Sequence, residues 1–237
     1  MGLTDIHTHI LYGVDDGAKN LQDSMRLLTE EWEQGVDKVV LTPHYGPKFG
    51  YPKVEVLRER FYEICEESKK FYPQMKLYLG SELYYQENHT IKALEDGKAL
   101  TFNDTKYVLV EFGTENSFSS IFRAVQEFGY AGYMPVIAHV ERYGAVFQHM
   151  DRAEELVKAG AYLQVNVESL SGGIFNARAS FCKKLIKEGL LHFIASDGHD
   201  LNRRRIDMKT GGEILQKKKE DKILYKNPVG LLEGKYI

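Results

Sequence analysis

The stretch Asp5-Ile6-His7-Thr8-His9 carries two imidazoles two residues apart. On a strand, residues at that spacing share a face, so both rings could take one metal ion at the strand's end. Imidazole is the commonest protein metal ligand, but two histidines alone fit polar residues at a strand end equally well. Further donors follow along the chain: His44, Glu82, Glu111, His139, and Asp197 with His199. The chain has eight histidines, and most of them fall in this set. Imidazole and carboxylate without thiolate suit zinc, manganese or iron. So many donors exceed the needs of one ion, which points to a polynuclear site with a carboxylate such as Glu82 as a bridge. Clustered divalent ions suit phosphoester hydrolysis: they bind phosphate, generate hydroxide near neutral pH and stabilise the leaving oxygen.

The two cysteines exclude a different phosphatase chemistry. A thiol enzyme needs Cys-x5-Arg to hold the phosphate, but Phe71 stands six residues after Cys65 and Glu188 six residues after Cys182. Both cysteines fall in helical patterns and read as small core hydrophobes.

The elements that must position the donors alternate between strand and helix. Residues 3–7 read as a short strand. Asn20 or Asp23 can cap a helix with Met25, Leu28 and Trp32 as its apolar face, stopped by Gly35. Further strands are expected at residues 37–42, 76–80, 107–110, 135–138, 161–165 and 192–195. Helices are expected at residues 54–68, 88–95, 121–128, 153–157 and 181–186, with a last helical region over 208–224. Short apolar strands between helices predict a parallel sheet. Seven such units closing on themselves make a distorted (β/α)7 barrel, in one domain spanning residues 1–237. An open doubly wound sheet is the alternative, but no Gly-rich phosphate loop follows the first strand. Every donor named above lies at or just past the C-terminal end of an expected strand. In a (β/α) barrel those ends converge on one face.

Composition sets outer bounds. The 237 residues are 43% hydrophobic and 27% charged with a net charge of −3, which gives no sign of a nucleic-acid-binding surface. No apolar run is long enough to span a bilayer. The start of the chain lacks a basic-then-apolar leader, and two cysteines are not a disulfide framework. A cytoplasmic setting is the expectation.

With these residues in view, a resemblance emerges. Asp-Ile-His-Thr-His followed by Val14-Asp15-Asp16-Gly17-Ala18, then Thr42-Pro43-His44, Gly80-Ser81-Glu82, Val110-Glu111-Phe112, Ile137-Ala138-His139-Val140-Glu141-Arg142-Tyr143 and Ala195-Ser196-Asp197-Gly198-His199 resemble the polymerase-and-histidinol-phosphatase (PHP) superfamily. Within it they are similar to the metal-dependent protein-tyrosine phosphatases of bacterial capsule and exopolysaccharide operons. The match runs in order over nearly the whole chain. It implies a distorted (β/α)7 barrel, a three-metal site assigned to manganese, and action on a phosphotyrosine-bearing bacterial tyrosine kinase that regulates polysaccharide export.

Carried onto this chain, the resemblance implies His7, His9, His44, Glu82, Glu111, His139, Asp197 and His199 as ligands, plus one aspartate of the Val-Asp-Asp-Gly turn. Relatives often place a ligand eight residues after the first histidine, which favours Asp15 and leaves Asp16 as the alternative, capping the next turn if not a ligand. Arg142 is assigned to the substrate phosphate, which its planar fork suits; a salt bridge to Glu141 is its structural alternative. An arginine about seven residues after Asp197 points to Arg204 within Arg203-Arg204-Arg205, although Arg205 stands where relatives often carry proline. The loop Tyr45–Tyr51 has aromatics that could flank a phosphotyrosine ring or pack on the rim. His89, His149 and His192 fall off the pattern. Two rival readings share the metals: a phosphoesterase for a small substrate such as histidinol phosphate, and a binding module whose metals are structural.

Overall fold

The computed structural model describes residues 2–172 and 176–237. Strands and helices alternate from the start: β1 (Leu3–Thr8), α1 (Leu21–Glu33), β2 (Val36–Leu41), β3 (His44–Tyr45), α2 (Val54–Phe71), β4 (Lys76–Leu79), β5 (Glu82–Tyr84) and α3 (Thr90–Glu95). The second half adds β6 (Tyr107–Glu111), α4 (Phe118–Tyr130), β7 (Met134–Ile137), α5 (Met150–Lys158), β8 (Tyr162–Asn166), α6 (Val167–Leu170), α7 (Ala177–Lys187), β9 (Phe193–Ala195), α8 (Met208–Lys218) and α9 (Asn227–Leu232). All strand pairings between these elements are parallel.

The ladder runs β4-β2-β1 in one part and β3-β5-β6-β7-β8-β9 in the other. The parts are joined on both sides. Thr42-Pro43 interrupts the chain between β2 and β3, and Gly80-Ser81 interrupts it between β4 and β5. Across that break, the amides of Gly80 and Glu82 donate to the carbonyls of Leu41 and Pro43 at 2.9 and 3.0 Å. On the other side, the Asp197 amide donates to the His7 carbonyl at 3.0 Å and the His9 amide to the Gly198 carbonyl at 2.9 Å. The parallel sheet therefore curls until the exit of β9 meets the exit of β1. Among the described residues, nine strand segments appear where the sequence reads as seven, because a proline that lacks an N–H and a Gly-Ser kink break two of them.

Burial follows the two-residue strand period. Val39, Leu41, Val108, Val110, Ile137, Leu163, Val165 and Ile194 face the helices. Val40, Leu109, Val136, Ala138, Phe193 and Ala195 face inward and pack with Ile6, Phe102 and Tyr107. Leu231 and Leu232 of α9 complete this inner cluster, each contributing about 2 kcal/mol by burial, and the Tyr107 hydroxyl donates to the Lys235 carbonyl at 2.7 Å.

Two helix readings need correction. In α1 the Asn20 side chain accepts the Asp23 amide, but the buried face is Ser24, Leu27, Leu28 and Glu31. Trp32 remains 37% exposed, and its ring lies 5.6 Å from that of Tyr72. The last helical region is also divided: α8 ends at Lys218, a wide turn covers Lys222–Lys226, and α9 follows.

Candidate metal centre

The strand register aims the first two histidines. Asp5 pairs with Val39 and Thr8 with Leu41, so β1 carries one more residue than β2 over this stretch. Such a bulge re-aims side chains: Ile6 lies in the inner cluster, and yet the adjacent His7 also turns inward, to Glu82. Asp5 itself is no donor to the centre. Its carboxylate accepts the Ser196 and His7 amides at 3.2 Å, tying β1 to the exit of β9. Burial and then Asp5 raise Glu31 well above the usual carboxylate range.

Glu82 sits at the middle of the assembly, fully buried. Its Oε1 lies 3.3 Å from His7 Nε2 and 3.0 Å from His139 Nε2. Its Oε2 lies 3.3 Å from His9 Nε2 and 2.9 Å from His44 Nδ1. Burial alone would raise its pKa, but His7, His44 and His139 hold it well below the ordinary value. Glu111 reaches to 3.7 Å from His44 and 3.8 Å from His139. Asp197 Oδ1 lies 3.5 Å from His7 Nε2 and 3.4 Å from His9 Nε2.

Among the described residues, three groups have donor atoms close enough to share an ion: His9, Asp16, His44 and His199; His7, His9 and Glu82; and His44, Glu82 and Glu111. The structure brings His139 and Asp197 against these groups through the contacts above. Asp16 belongs to the first group and Asp15 to none. Asp15 lies behind the imidazoles, where its Oδ2 accepts from His9 Nδ1 at 2.8 Å and from the His44 amide at 3.0 Å. The turn that separates the two aspartates is held by Gly17, whose Cβ, if present, would stand 2.0 Å from the His9 carbonyl oxygen. No side chain fits there.

The lone pairs fit a cation. His199 Nδ1 lies 2.8 Å from the Asp197 carbonyl oxygen and must donate to it, which leaves Nε2 as an acceptor. That Nε2 is buried without a hydrogen-bond partner among the described residues, with Asp16 Oδ1 3.4 Å away. Burial and then His9 push the His199 pKa down to about 4, so the ring is neutral at pH 7, as a metal ligand must be. Burial opposes charge on His9, but Asp15, Asp197 and Glu82 raise its pKa well above the usual value; the centre attracts positive charge, and a cation would replace that proton. His139 and Asp197 hold left-handed backbone, φ 34° and 55°, which costs about 1–3 kcal/mol for each non-glycine residue. Strain of that kind concentrates at functional sites.

Two guanidinium groups flank Asp197. Arg142 reaches its Oδ2 at 3.0 Å and Glu168 at 3.1 Å. Arg204 reaches its Oδ1 at 3.1 Å and Asp16 Oδ2 at 3.3 Å. Arg142 does not pair with Glu141, which is buried and accepts the Asn166 amide at 3.1 Å. Within the arginine triplet only Arg204 turns to the centre; Arg205 lies 3.9 Å from Glu30 and Arg203 is exposed. The Asp200 carboxylate selects that geometry by accepting the Asn202, Arg203 and Arg204 amides.

A cavity of about 370 Å³ opens above the donors, with Asp16, His44, Glu111 and Arg204 on its floor and Gly46, Pro47, Lys48, Phe49 and Tyr84 around it. Phe49 stacks on His44 at 4.4 Å. Tyr45 and Tyr51 instead turn to His89. His149 precedes α5 and His192 packs on Tyr162. Cys65 and Cys182 lie in α2 and α7, and burial pushes the Cys65 thiol up to about 11.

The family model described as capsular polysaccharide synthesis, CpsB/CapC, matches residues 3–233. This chain belongs to the CpsB/CapC family. It is 31% identical to the tyrosine-protein phosphatase CpsB of Streptococcus agalactiae over 99% of this chain and the whole of the relative. It is 34% identical to CpsB of Streptococcus pneumoniae over 91% of this chain and 90% of the relative. A crystal structure from work on Bacillus subtilis YwqE and S. pneumoniae CpsB, described as metal-dependent tyrosine phosphatases, superposes with a TM-score of 0.89 at 28% identity, covering 99% of this chain and 96% of the other. CpsB/CapC membership accounts for the order of the motifs along the chain.

The sequence reading missed Gln164 and Asn166, both buried beneath the histidines. The signal was present: two amides alternate with apolar residues in Tyr162-Leu163-Gln164-Val165-Asn166, which places both on the inward face of β8.

Proposed function

We propose that residues 1–237 act as a single protein-tyrosine phosphatase domain on a bacterial tyrosine kinase that regulates capsular or exopolysaccharide synthesis, in the cytoplasm. Counting β2 with β3 and β4 with β5 as interrupted strands gives the seven units of a distorted (β/α)7 barrel. The relatives' names as tyrosine-protein phosphatases and their metal dependence support the activity. No helix of the described residues is long and apolar enough to cross a membrane.

The observation that carries this reading is the convergence of four imidazoles, His7, His9, His44 and His139, on the two oxygens of the fully buried Glu82, at distances between 2.9 and 3.3 Å. We assign His7, His9, Asp16, His44, Glu82, Glu111, His139, Asp197 and His199 as the donor set, for three divalent ions. Asp15 orients His9 from behind, as a carboxylate commonly does for a metal-bound imidazole. The nitrogen-rich set favours manganese over magnesium, with iron or zinc also suited. Bound divalent ions would supply Lewis acidity, neutralising phosphoryl charge and acidifying water.

The remaining chemistry belongs to the chain. Arg142 and Arg204 approach Asp197 from opposite oxygens, so their free N–H groups can clasp a phosphoryl group beside it. Phe49 and Tyr84 offer apolar walls for an aromatic ring entering the cavity, and Lys48 stands at its mouth. Tyrosine can leave as a phenolate, whose conjugate acid has a solution pKa near 10, so departure needs less acid assistance than that of an aliphatic alcohol.

The test is metal analysis of the purified protein, followed by phosphate release from a phosphotyrosine peptide and from histidinol phosphate. Bound divalent metal and a preference for the peptide are expected. Turnover of histidinol phosphate alone would move the function to small phosphoesters.

A further inference from the structure

Beneath the donor set runs a chain of amides whose polarity can be read in one direction. It starts at Asp197, a carboxylate paired with both Arg142 and Arg204, and therefore an acceptor only. Asn166 meets Asp197 Oδ2 at 2.8 Å, so the Asn166 group there must be its NH2. The Asn166 Oδ1 then faces Gln164 at 2.9 Å, and Gln164 must present its own NH2. The Gln164 Oε1 is left on the other side. There it accepts the His139 backbone N–H at 2.9 Å, a donor that cannot reverse, which fixes the same orientation independently. The last member is His7 Nδ1, 3.2 Å from Gln164 Oε1. Facing an acceptor, Nδ1 must carry the proton. His7 Nε2 is then a lone pair, aimed at the space shared with His9 and Glu82.

We propose that Gln164, held by Asn166, is the positioning residue that sets the His7 tautomer for metal binding. The proposal rests on the metal-centre reading above. Gln164 and Asn166 are fully or almost fully buried, at 0% and 1% exposure, so water does not compete for these bonds. The relay ties three candidate ligands together: Asp197 at one end, His7 at the other, and His139 through its backbone. Without it, neutral imidazole is free to place its proton on Nε2 and present an N–H to the ion. Outer partners of this kind are worth about 10–100-fold in metal affinity.

The experiment uses zinc as a diamagnetic probe on the full chain. Zinc affinity is measured by chelator competition, and the His7 tautomer by nitrogen-15 NMR of the zinc-loaded protein, for wild type, Gln164→Met and Gln164→Glu. Thermal unfolding of each variant is recorded alongside. Wild type should carry the His7 proton on Nδ1. Gln164→Met, similar in size but with no acceptor, should lose about 10–100-fold in affinity and lose the Nδ1–H signal. Gln164→Glu keeps the acceptor toward His7 but gives up the donor toward Asn166 Oδ1, and should restore the Nδ1–H signal that Gln164→Met loses. Affinity and tautomer unchanged in Gln164→Met would overturn the proposal while leaving the metal centre intact. If Gln164→Met does not fold, a wild-type His7 protonated on Nε2 overturns it directly. A wild-type protein that binds no zinc would overturn the metal centre itself, and the relay with it.

Discussion

Replacing Arg142 by alanine separates substrate binding from metal binding. The guanidinium touches no assigned donor except Asp197, at 3.0 Å, and its second contact, Glu168, is 61% exposed at the side chain. Breaking a fully buried pair costs about 3–5 kcal/mol. Here the Arg142 side chain is 27% exposed and Asp197 keeps Arg204 at 3.1 Å, so the loss of stability should be nearer 1–2 kcal/mol. For a chain of this size that lowers the Tm by about 2–8 °C, and the protein stays folded. The effect on turnover is larger. Losing one preorganised donor to the transferring group costs about 2.7–4 kcal/mol, or 10²–10³ in kcat. Arg142→Lys should recover part of this, because an ammonium keeps the charge but not the fork. His139→Ala should differ by losing metal as well as rate. The assay is kcat and KM on a phosphotyrosine peptide beside metal content by elemental analysis. Wild-type turnover by Arg142→Ala at full metal content would refute the assignment and leave Arg204 as the phosphate clamp.

Prolonged dialysis against EDTA should abolish phosphatase activity, with manganese restoring it better than magnesium; undiminished activity after full metal loss would rule out the centre as catalytic. Cys65→Ser combined with Cys182→Ala should leave kcat within about twofold, since Cys65 is half-buried and Cys182 buried and burial raises both thiols' pKa, and a dead but folded, metal-loaded double variant would contradict the mechanism. His192 should make stability fall in mild acid. Its Nδ1 accepts the Leu163 amide at 3.2 Å, and burial with Lys222 pushes its pKa down to about 4, against about 6.5 unfolded. Between those values the unfolded chain holds more protons, so the stabilisation is complete above about pH 6.5 and declines as the pH falls toward 4, by roughly 2 kcal/mol at pH 5. Denaturant midpoints at pH 7.5 and 5.0 should show a smaller acid loss in His192→Gln than in wild type, and equal losses would refute the reading.

The candidate donors that the structure brings together stand out in the sequence because chemistry and position coincide in them. An imidazole or carboxylate at the end of an apolar strand stands out against the residues around it, and parallel strands bring their ends together. Longer-range pairing was less visible. Glu31 is buried beside Asp5, so α1 turns a charged residue inward and leaves Trp32 half outside; helical periodicity, which counts apolar residues, puts the face in the wrong place. The last expected helical region stops at residue 224, short of α9; proline is tolerated in a helix's first turn, and α9 forms because Leu231 and Leu232 close the inner cluster.

The choices between neighbours show where sequence spacing stops being informative. Asp15 and Asp16 have the same side chain and lie in one turn; which of them faces the centre depends on how closely that turn lies on the His9 carbonyl, and Gly17 permits that approach. The arginine triplet is similar, since the Asp200 carboxylate gathers three successive amides and so directs Arg204 inward. In both cases the side chain that turns to the centre is selected by a backbone contact that its own identity does not encode. Gln164 and Asn166 are the converse: their strand alternation marks them as inward, and only the partners at each end, an acceptor at Asp197 and a backbone donor at His139, give the pair a direction and hence a consequence for His7.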